Sequence, residues 1–479
     1  MKRLSEATLG ELAFGLDRPG YDRNATRLGV VHFGPGAFHR AHQAWYFDRM
    51  LARRPEFAIC GVSLNRPDVR EALAPQDGLY VLAEQEADSR FRVIGALREL
   101  LFAPEARERL AARLLEARIV TATVTEKGYG LGPDGALDLD HPAIRADLAA
   151  PQRPASLMGW LAHGLRLRRA AGLAPFVTLS CDNLSDNGAK LGRAVAAFAA
   201  ACGEADLAAW IEAAPFPNTM VDSITPASDQ ALRDRVAAAA GLEDRWPVQR
   251  EGFVQWVVED RLADADAEAF AEAGVTVVQA VAPFEQAKLR LLNGAHSTLA
   301  YVGLGRGAQT VAEAMADAPL AAFVERMMRR DVAPTLPRCE LDIPAYVDDV
   351  LRRFRNPAIV HRLSQIAWDG SQKLPVRLLA TTADALAAGR PVERLAVGAA
   401  AWMRFVVRQA RAGEPLVDPL AAQLDAIGAA CDRRPCDVDR FLSLRAVFPQ
   451  PLAQHPVFRA TVARAYVALE AEPDAALAV

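Results

Sequence analysis

An amine, an amide and an imidazole fall on one short apolar stretch between Pro283 and Ser297: Lys288, Asn293 and His296, with Glu285 one turn earlier. On a regular α-helix at about 100° per residue, with Lys288 at zero, Glu285 lies near ~60°, His296 near ~80° and Asn293 near ~140°. All four then share less than half the circumference. A lysine that can give and take a proton, beside amide and imidazole donors, is equipment for acid/base work on a hydroxyl or carbonyl. The competing reading is a buried polar face whose groups satisfy one another, and on this stretch alone the two readings balance.

The choice of cation tips that balance. Of 55 lysines and arginines, only Lys2, Lys127, Lys190, Lys288 and Lys373 are lysine. Where arginine is the default cation, a lysine kept inside a polar motif fits a site needing an ammonium that can lose its proton, which arginine cannot do. Chance accounts for Lys2 and, less firmly, Lys190; it accounts less comfortably for Lys288.

Other elements must bring a cofactor and a substrate to this stretch. Leu28 to Phe33 reads as a strand running into Gly34-Pro35-Gly36 and then a helix through Phe38, His39, Arg40 and His42. Strand, glycine turn and helix is the dinucleotide-binding order, in which glycines let the backbone approach a pyrophosphate at a helix N-terminus. His39 stands where that motif has its third glycine, so the turn by itself is a weak signal. Phe57 to Val62 is the next strand, and Asp68, with Arg66 beside it, is the acidic candidate for an adenosine ribose, favouring NAD over NADP. Tyr80 to Leu82 and Phe91 to Ile94 suit an inserted hairpin, and Ala103 to Ala117 a helix. The buried strand Ile119 to Val124 ends in Thr125-Glu126-Lys127-Gly128-Tyr129, at the carboxyl edge where such sheets bind ligands. Phe176 to Ser180 ends in Cys181-Asp182-Asn183, whose bland reading is a capped helix start. Phe253 to Val258 and Val275 to Val278 are late strands, and from Phe284 onward the pattern is helical and alanine-rich, broken by prolines 334, 337, 344 and 357.

The fold class expected is therefore α/β: an N-terminal Rossmann-type parallel-sheet domain, residues 1–283, followed by a mainly α-helical C-terminal domain, residues 284–479, with the binding cleft between them. At 479 residues, 24% charged and a net charge of −4, the chain is large enough for two cores and offers no basic tract for nucleic acid or an anionic membrane. Its six cysteines show no paired metal spacing and read as reduced thiols; with no apolar run of membrane length, a cytoplasmic protein is expected.

Taken together, Gly34-x-Gly36-x-Phe38-His39-Arg40-Ala41-His42, Thr123 to Tyr129, Ser180 to Asn183, Met220-Val221-Asp222 and Lys288-x4-Asn293-x2-His296 resemble the polyol-specific long-chain dehydrogenase/reductases, the mannitol dehydrogenase family. The resemblance covers nearly the whole chain, and its last motif is the most specific. Gln365 to Pro375, with Gln365 where mannitol-type members carry arginine, is most similar to fructuronate reductases (D-mannonate oxidoreductases). Ser223 departs from the arginine common after the Val-Asp pair.

The resemblance implies an NAD-dependent enzyme in which Lys288 is the general acid/base, Asn183 and Asn293 donate to the reacting oxygen, and His296 orients the substrate hydroxyl. It places Asp222, Lys373 and Gln365 in the substrate site, with Arg362 and Arg377 as further cations for a uronate carboxylate. Gly34, Gly36, Phe38, Arg40, Asp68, Thr125, Glu126 and Lys127 are the expected cofactor contacts, and no metal is implied. Glu285 reads as a proton relay or as an ordinary helix ion pair. The partner is a small sugar acid or polyol, acted on by a monomer or small homo-oligomer. The rivals are mannitol 2-dehydrogenase, a tagaturonate-type enzyme and, outside catalysis, a dinucleotide-binding sensor.

Overall fold

Runs of aliphatic and β-branched residues between glycine and polar breaks set the strands. The computed structural model describes every residue except Phe14, Ala87, Cys339 and the side chain of Glu126. The chain divides into two units, Met1–Ala282 and Pro283–Val479.

In the first unit the strands are β1 (Leu28–Phe33), β2 (Ala58–Ser63), β3 (Tyr80–Gln85), β4 (Arg90–Ile94), β5 (Leu97–Phe102), β6 (Ile119–Ala122), β7 (Val177–Ser180), β8 (Thr219–Asp222), β9 (Val248–Glu251), β10 (Gln255–Glu259) and β11 (Thr276–Val278). Five of them form a parallel sheet in the order β5-β2-β1-β6-β7. Being covered on both faces, its central strands are almost continuously apolar; Trp160 and Phe198 belong to one core cluster, Phe47, Trp256 and Phe270 to another. The connection from β1 goes to β2 on one side while β6 pairs on the other, so the strand order switches between β1 and β6. Crevices at such switch points, beyond the carboxyl ends of the strands, are where doubly wound sheets bind ligands. This is a Rossmann-type domain.

Three strands escape the sequence pattern. β5 carries Arg98 and Glu99, with Glu99 ion-paired to Arg109 and Arg113, as suits an edge strand protected by charge. β8 and β9 are four residues each, short enough to be lost among their neighbours. The expected hairpin exists as β3 and β4, but β9 joins it in parallel, making a three-stranded sheet.

The second unit is helical in its described residues. Helix Gly294–Gly305 is buried over most of its length, and helix Glu393–Ala412 is buried without a break from Leu395 to Arg404. Three short segments widen to π-helix: Lys288–Asn293, Met327–Val332 and Pro375–Leu379. Among the described residues, no helix is long and apolar enough to cross a membrane. Cys60, Cys181, Cys202, Cys431 and Cys436 are free thiols, and Cys339 lies outside the described residues.

Candidate active site

The turn after β1 asks different things of its two glycines. Gly34 has φ +87°, and a Cβ there would stand 2.2 Å from the Thr123 carbonyl oxygen, so only glycine fits. Gly36 has φ −72° and is exposed. A Cβ there would meet nothing nearer than the Gly34 oxygen at 3.8 Å. The protein itself does not demand glycine at 36; the open space in front of the helix start at Ala37 is what a side chain would fill, and this fits a phosphate resting on backbone N–H groups. Phe38, half-buried, stacks on His42 with centroids 5.0 Å apart.

Behind the turn, His39 stacks on His32 at 3.3 Å. His32 also contacts the Thr121 hydroxyl at 2.6 Å, the Thr123 hydroxyl at 3.0 Å and the Gly34 carbonyl at 3.1 Å. Burial drives the His32 pKa down to about 3 and that of His39 well below the usual value, so both rings are neutral. The third-glycine position is thus a core histidine. Arg40, expected on the cofactor, is also a core residue: fully buried, it donates to the Trp246 carbonyl at 2.5 Å and lies over the Tyr80 and Trp246 rings. Its burial removes it from the open side of the turn. Asp68 sits in the first turn of helix Asp68–Leu73, partly exposed and paired with Arg66 at 2.6 Å.

Beyond β6, Thr125 holds φ +65° and ψ 161°, a region populated almost only by glycine and costing about 1–3 kcal/mol. What holds it there is Asp182. The Val124 and Thr125 N–H groups donate to its two carboxylate oxygens, each at 3.0 Å, and the Tyr129 hydroxyl donates at 2.7 Å. Asp182 therefore does not cap the following helix, which begins at Asn187 behind a left-handed Asp186. Sequence reasoning saw the residue but not this role, because its donors are more than fifty positions away. Asn183 is exposed at the end of the same strand and Lys127 is exposed in the β6 loop; the Glu126 side chain lies outside the described residues. Asp222 is buried at the end of β8, opposite Gln255.

In the second unit, Lys288 opens a π-helical segment that closes at Asn293. The angles of a regular helix therefore do not apply. Hydrogen bonding in a π turn runs from i to i+5, which stacks Asn293 on the Lys288 side rather than far around the barrel. His296 follows one α-turn later, buried against Phe354 at 4.5 Å and edge-on to His361 at 5.0 Å. Burial, then His361, Arg353 and Arg377, hold its pKa well below the ordinary histidine value. It is a neutral donor or acceptor, and its Nε2 has no hydrogen-bond partner among the described residues.

Around it gathers positive charge. Arg377 donates to the Ser297 hydroxyl at 3.2 Å, and Lys373 to the Ile366 carbonyl at 3.4 Å. Burial first, and Arg377 next, lower the Lys373 pKa. Arg353, which the sequence reading passed over, is buried close enough to depress both His296 and His361. Arg362 and Gln365 are exposed, Arg362 pairing its backbone with Thr310. Asp418, also passed over, accepts the Ser371 N–H at 2.8 Å and its hydroxyl at 2.5 Å, fixing the turn that leads into Lys373. Among the described residues no group of three or more histidine, cysteine or acidic side chains is placed to hold a metal.

Residues 28–269 match the family described as mannitol dehydrogenase Rossmann domain, and residues 280–470 the mannitol dehydrogenase C-terminal domain. A mannitol 2-dehydrogenase of Aspergillus fumigatus (strain CBS 144.89 / FGSC A1163 / CEA10) is 39% identical over 452 residues, 91% of this chain and 89% of that protein. An uncharacterized oxidoreductase of Escherichia coli (strain K12) is 39% identical over 94% of this chain and 93% of that protein. Of solved structures, a substrate-free D-sorbitol dehydrogenase superposes with TM-score 0.91 at 33% identity, and Pseudomonas fluorescens mannitol 2-dehydrogenase, in ternary complex with NAD and D-mannitol, with TM-score 0.81 at 35% identity; each match covers 99% of both chains.

Proposed function

Because the chain belongs to the mannitol dehydrogenase family, we propose that it is an NAD(H)-dependent oxidoreductase interconverting D-fructuronate and D-mannonate. The nicotinamide supplies the hydride. Lys288 as ammonium protonates the ketone oxygen during reduction, and as amine takes the proton back in the reverse direction. Asn293, brought to the Lys288 side by the π turn, donates to the developing alkoxide, with Asn183 assigned as second donor by family resemblance. His296, neutral and with Nε2 available, orients a substrate hydroxyl, and Asp222 belongs to the substrate site by the same resemblance. Gly36 gives a pyrophosphate room at the start of the helix.

What supports a carboxylate-bearing sugar is the gathering of Lys373, Arg377 and Arg353 about His296 and His361. Arg377 lowers the protonation of Lys373 more than either Asp369 or Asp418 restores it, and an anion beside the two cations would relieve that. The test is NADH oxidation with fructuronate, tagaturonate and fructose. Fructuronate should turn over fastest, and Lys288→Ala should lower turnover by about 10² or more on every ketose. Fastest turnover of neutral fructose would favour the second reading, mannitol 2-dehydrogenase, which is motivated by the names of relatives 38–39% identical. Full activity of Lys288→Ala would refute the proton-transfer role.

A further inference from the structure

We propose that Asp182 is a positioning residue that fixes the cofactor loop at the end of β6 and ties it to Asn183, its neighbour in sequence. The inference rests on the dinucleotide reading above. One carboxylate collects three donors from that loop, two backbone N–H groups at Val124 and Thr125 and the Tyr129 hydroxyl. Thr125 sits at φ +65° and ψ 161°, a glycine-like conformation, with its N–H donating to Asp182 and its carbonyl accepting the Gly128 N–H at 3.0 Å within the same loop. A threonine left to itself would relax to φ below zero, carrying with it the loop that faces the strand-order switch.

The effect would not stop at Thr125. Two residues back, the Thr123 hydroxyl donates to the Gly34 carbonyl at 2.7 Å, and the Thr123 carbonyl crowds the Cα of Gly34 so closely that no Cβ fits. The Gly34 N–H in turn donates to Val62 at the end of β2 at 2.9 Å. A continuous path of contacts therefore runs from Asp182 through the β6 loop to the glycine turn, crossing three strand ends. On the other side, the Tyr129 hydroxyl, 2.6 Å from the Ser180 hydroxyl, fastens the loop back to β7. Asp182 is thus placed so that the loop facing the cofactor and the strand end bearing Asn183 keep one spacing.

The test uses the full chain and reads NADH binding directly by fluorescence titration, alongside kcat and KM. Asp182→Asn keeps the shape but turns one acceptor into a donor facing an N–H; it should weaken NADH binding about tenfold, the scale of a lost charge-assisted hydrogen bond. Thr125→Gly removes the conformational penalty, so in that background, and measured against Thr125→Gly itself, adding Asp182→Asn should weaken NADH binding by no more than about threefold. A purely structural carboxylate would not be rescued at Thr125. Unchanged NADH affinity in Asp182→Asn, or a loss as large in the Thr125→Gly background as in the unsubstituted chain, overturns the inference. If Asp182→Asn does not fold, Tyr129→Phe removes one donor and should weaken NADH binding about threefold; unchanged affinity there overturns it equally. Failure of the unsubstituted chain to bind NADH would instead strike at the cofactor reading itself.

Discussion

Gly34 and Gly36 stand two residues apart, and the reasons for glycine at each make opposite predictions. An alanine at 34 meets both a left-handed backbone and a carbonyl oxygen 2.2 Å from its Cβ. It should cost several kcal/mol, roughly the sum of the left-handed penalty and of overpacking, visible as a large fall in the urea midpoint. An alanine at 36 meets neither obstacle and should be neutral or stabilising by up to about 1 kcal/mol. Its expense falls on the ligand: NADH affinity should drop about tenfold or more, because the methyl occupies the space a phosphate needs. Equal stability losses at both positions, or full NADH affinity in Gly36→Ala, would dissociate the turn from cofactor binding. Arg40 teaches the same lesson by contrast. It lies in the motif by sequence, yet its guanidinium is spent on Trp246 and Tyr80 inside the core.

At the scale of elements, the departure from regular helix at Lys288 decides how its neighbours are arrayed. Helix periodicity in a sequence assumes one spacing throughout, and a π segment leaves no mark in residue type, so the regular-helix angle of about 140° between Lys288 and Asn293 (about 100° per residue) does not hold in the fold. The strands show what was legible. β1 and β6, buried and uninterrupted, stand out within a residue or two, whereas β5 hides behind its charges and β8 and β9 behind their brevity. Asp182 and Asp418 were opaque for another reason: their roles are set by hydrogen bonds to distant segments. The π segment carrying Lys288 packs at Gly294 on a second one, Pro375–Leu379, where a Cβ would lie 2.9 Å from the Arg377 carbonyl. Gly294→Ala should separate the two. Its helix-propensity gain of about 1 kcal/mol offsets part of the crowding, so thermal stability should change little while kcat falls about tenfold, the consequence of misplacing Lys288 and Asn293 against Arg377 by a fraction of an ångström. A kcat unchanged in a stably folded variant would show that the π contact does not set the site.

Taken over the whole molecule, buried neutral histidines link folding to pH. His32 and His39 in the first unit are fully enclosed, His296 in the second is largely buried, and burial is the first cause of each depressed pKa. A group whose folded pKa lies below its unfolded value of about 6.5 binds its proton in the unfolded chain first, so its contribution is intact above that pH and is lost as pH falls below it. For His32 the loss continues down toward about 3. At pH 5 the His32 shift by itself weakens folding by roughly 2 kcal/mol, and His39 and His296 act in the same direction. The thermal midpoint should therefore fall steeply between pH 6.5 and 5, where few ordinary carboxylates titrate. His39→Phe, which preserves a ring against His32 while removing one titrating group, should flatten that fall, and an undiminished slope would exclude His39 as a source. Because His296 stays neutral throughout this range, any limb of the turnover profile between pH 6 and 8 belongs to another group. The same scan on Lys288→Arg, whose side chain cannot deprotonate, should abolish turnover at every pH if Lys288 is the proton carrier, and should merely displace the limb if it is not.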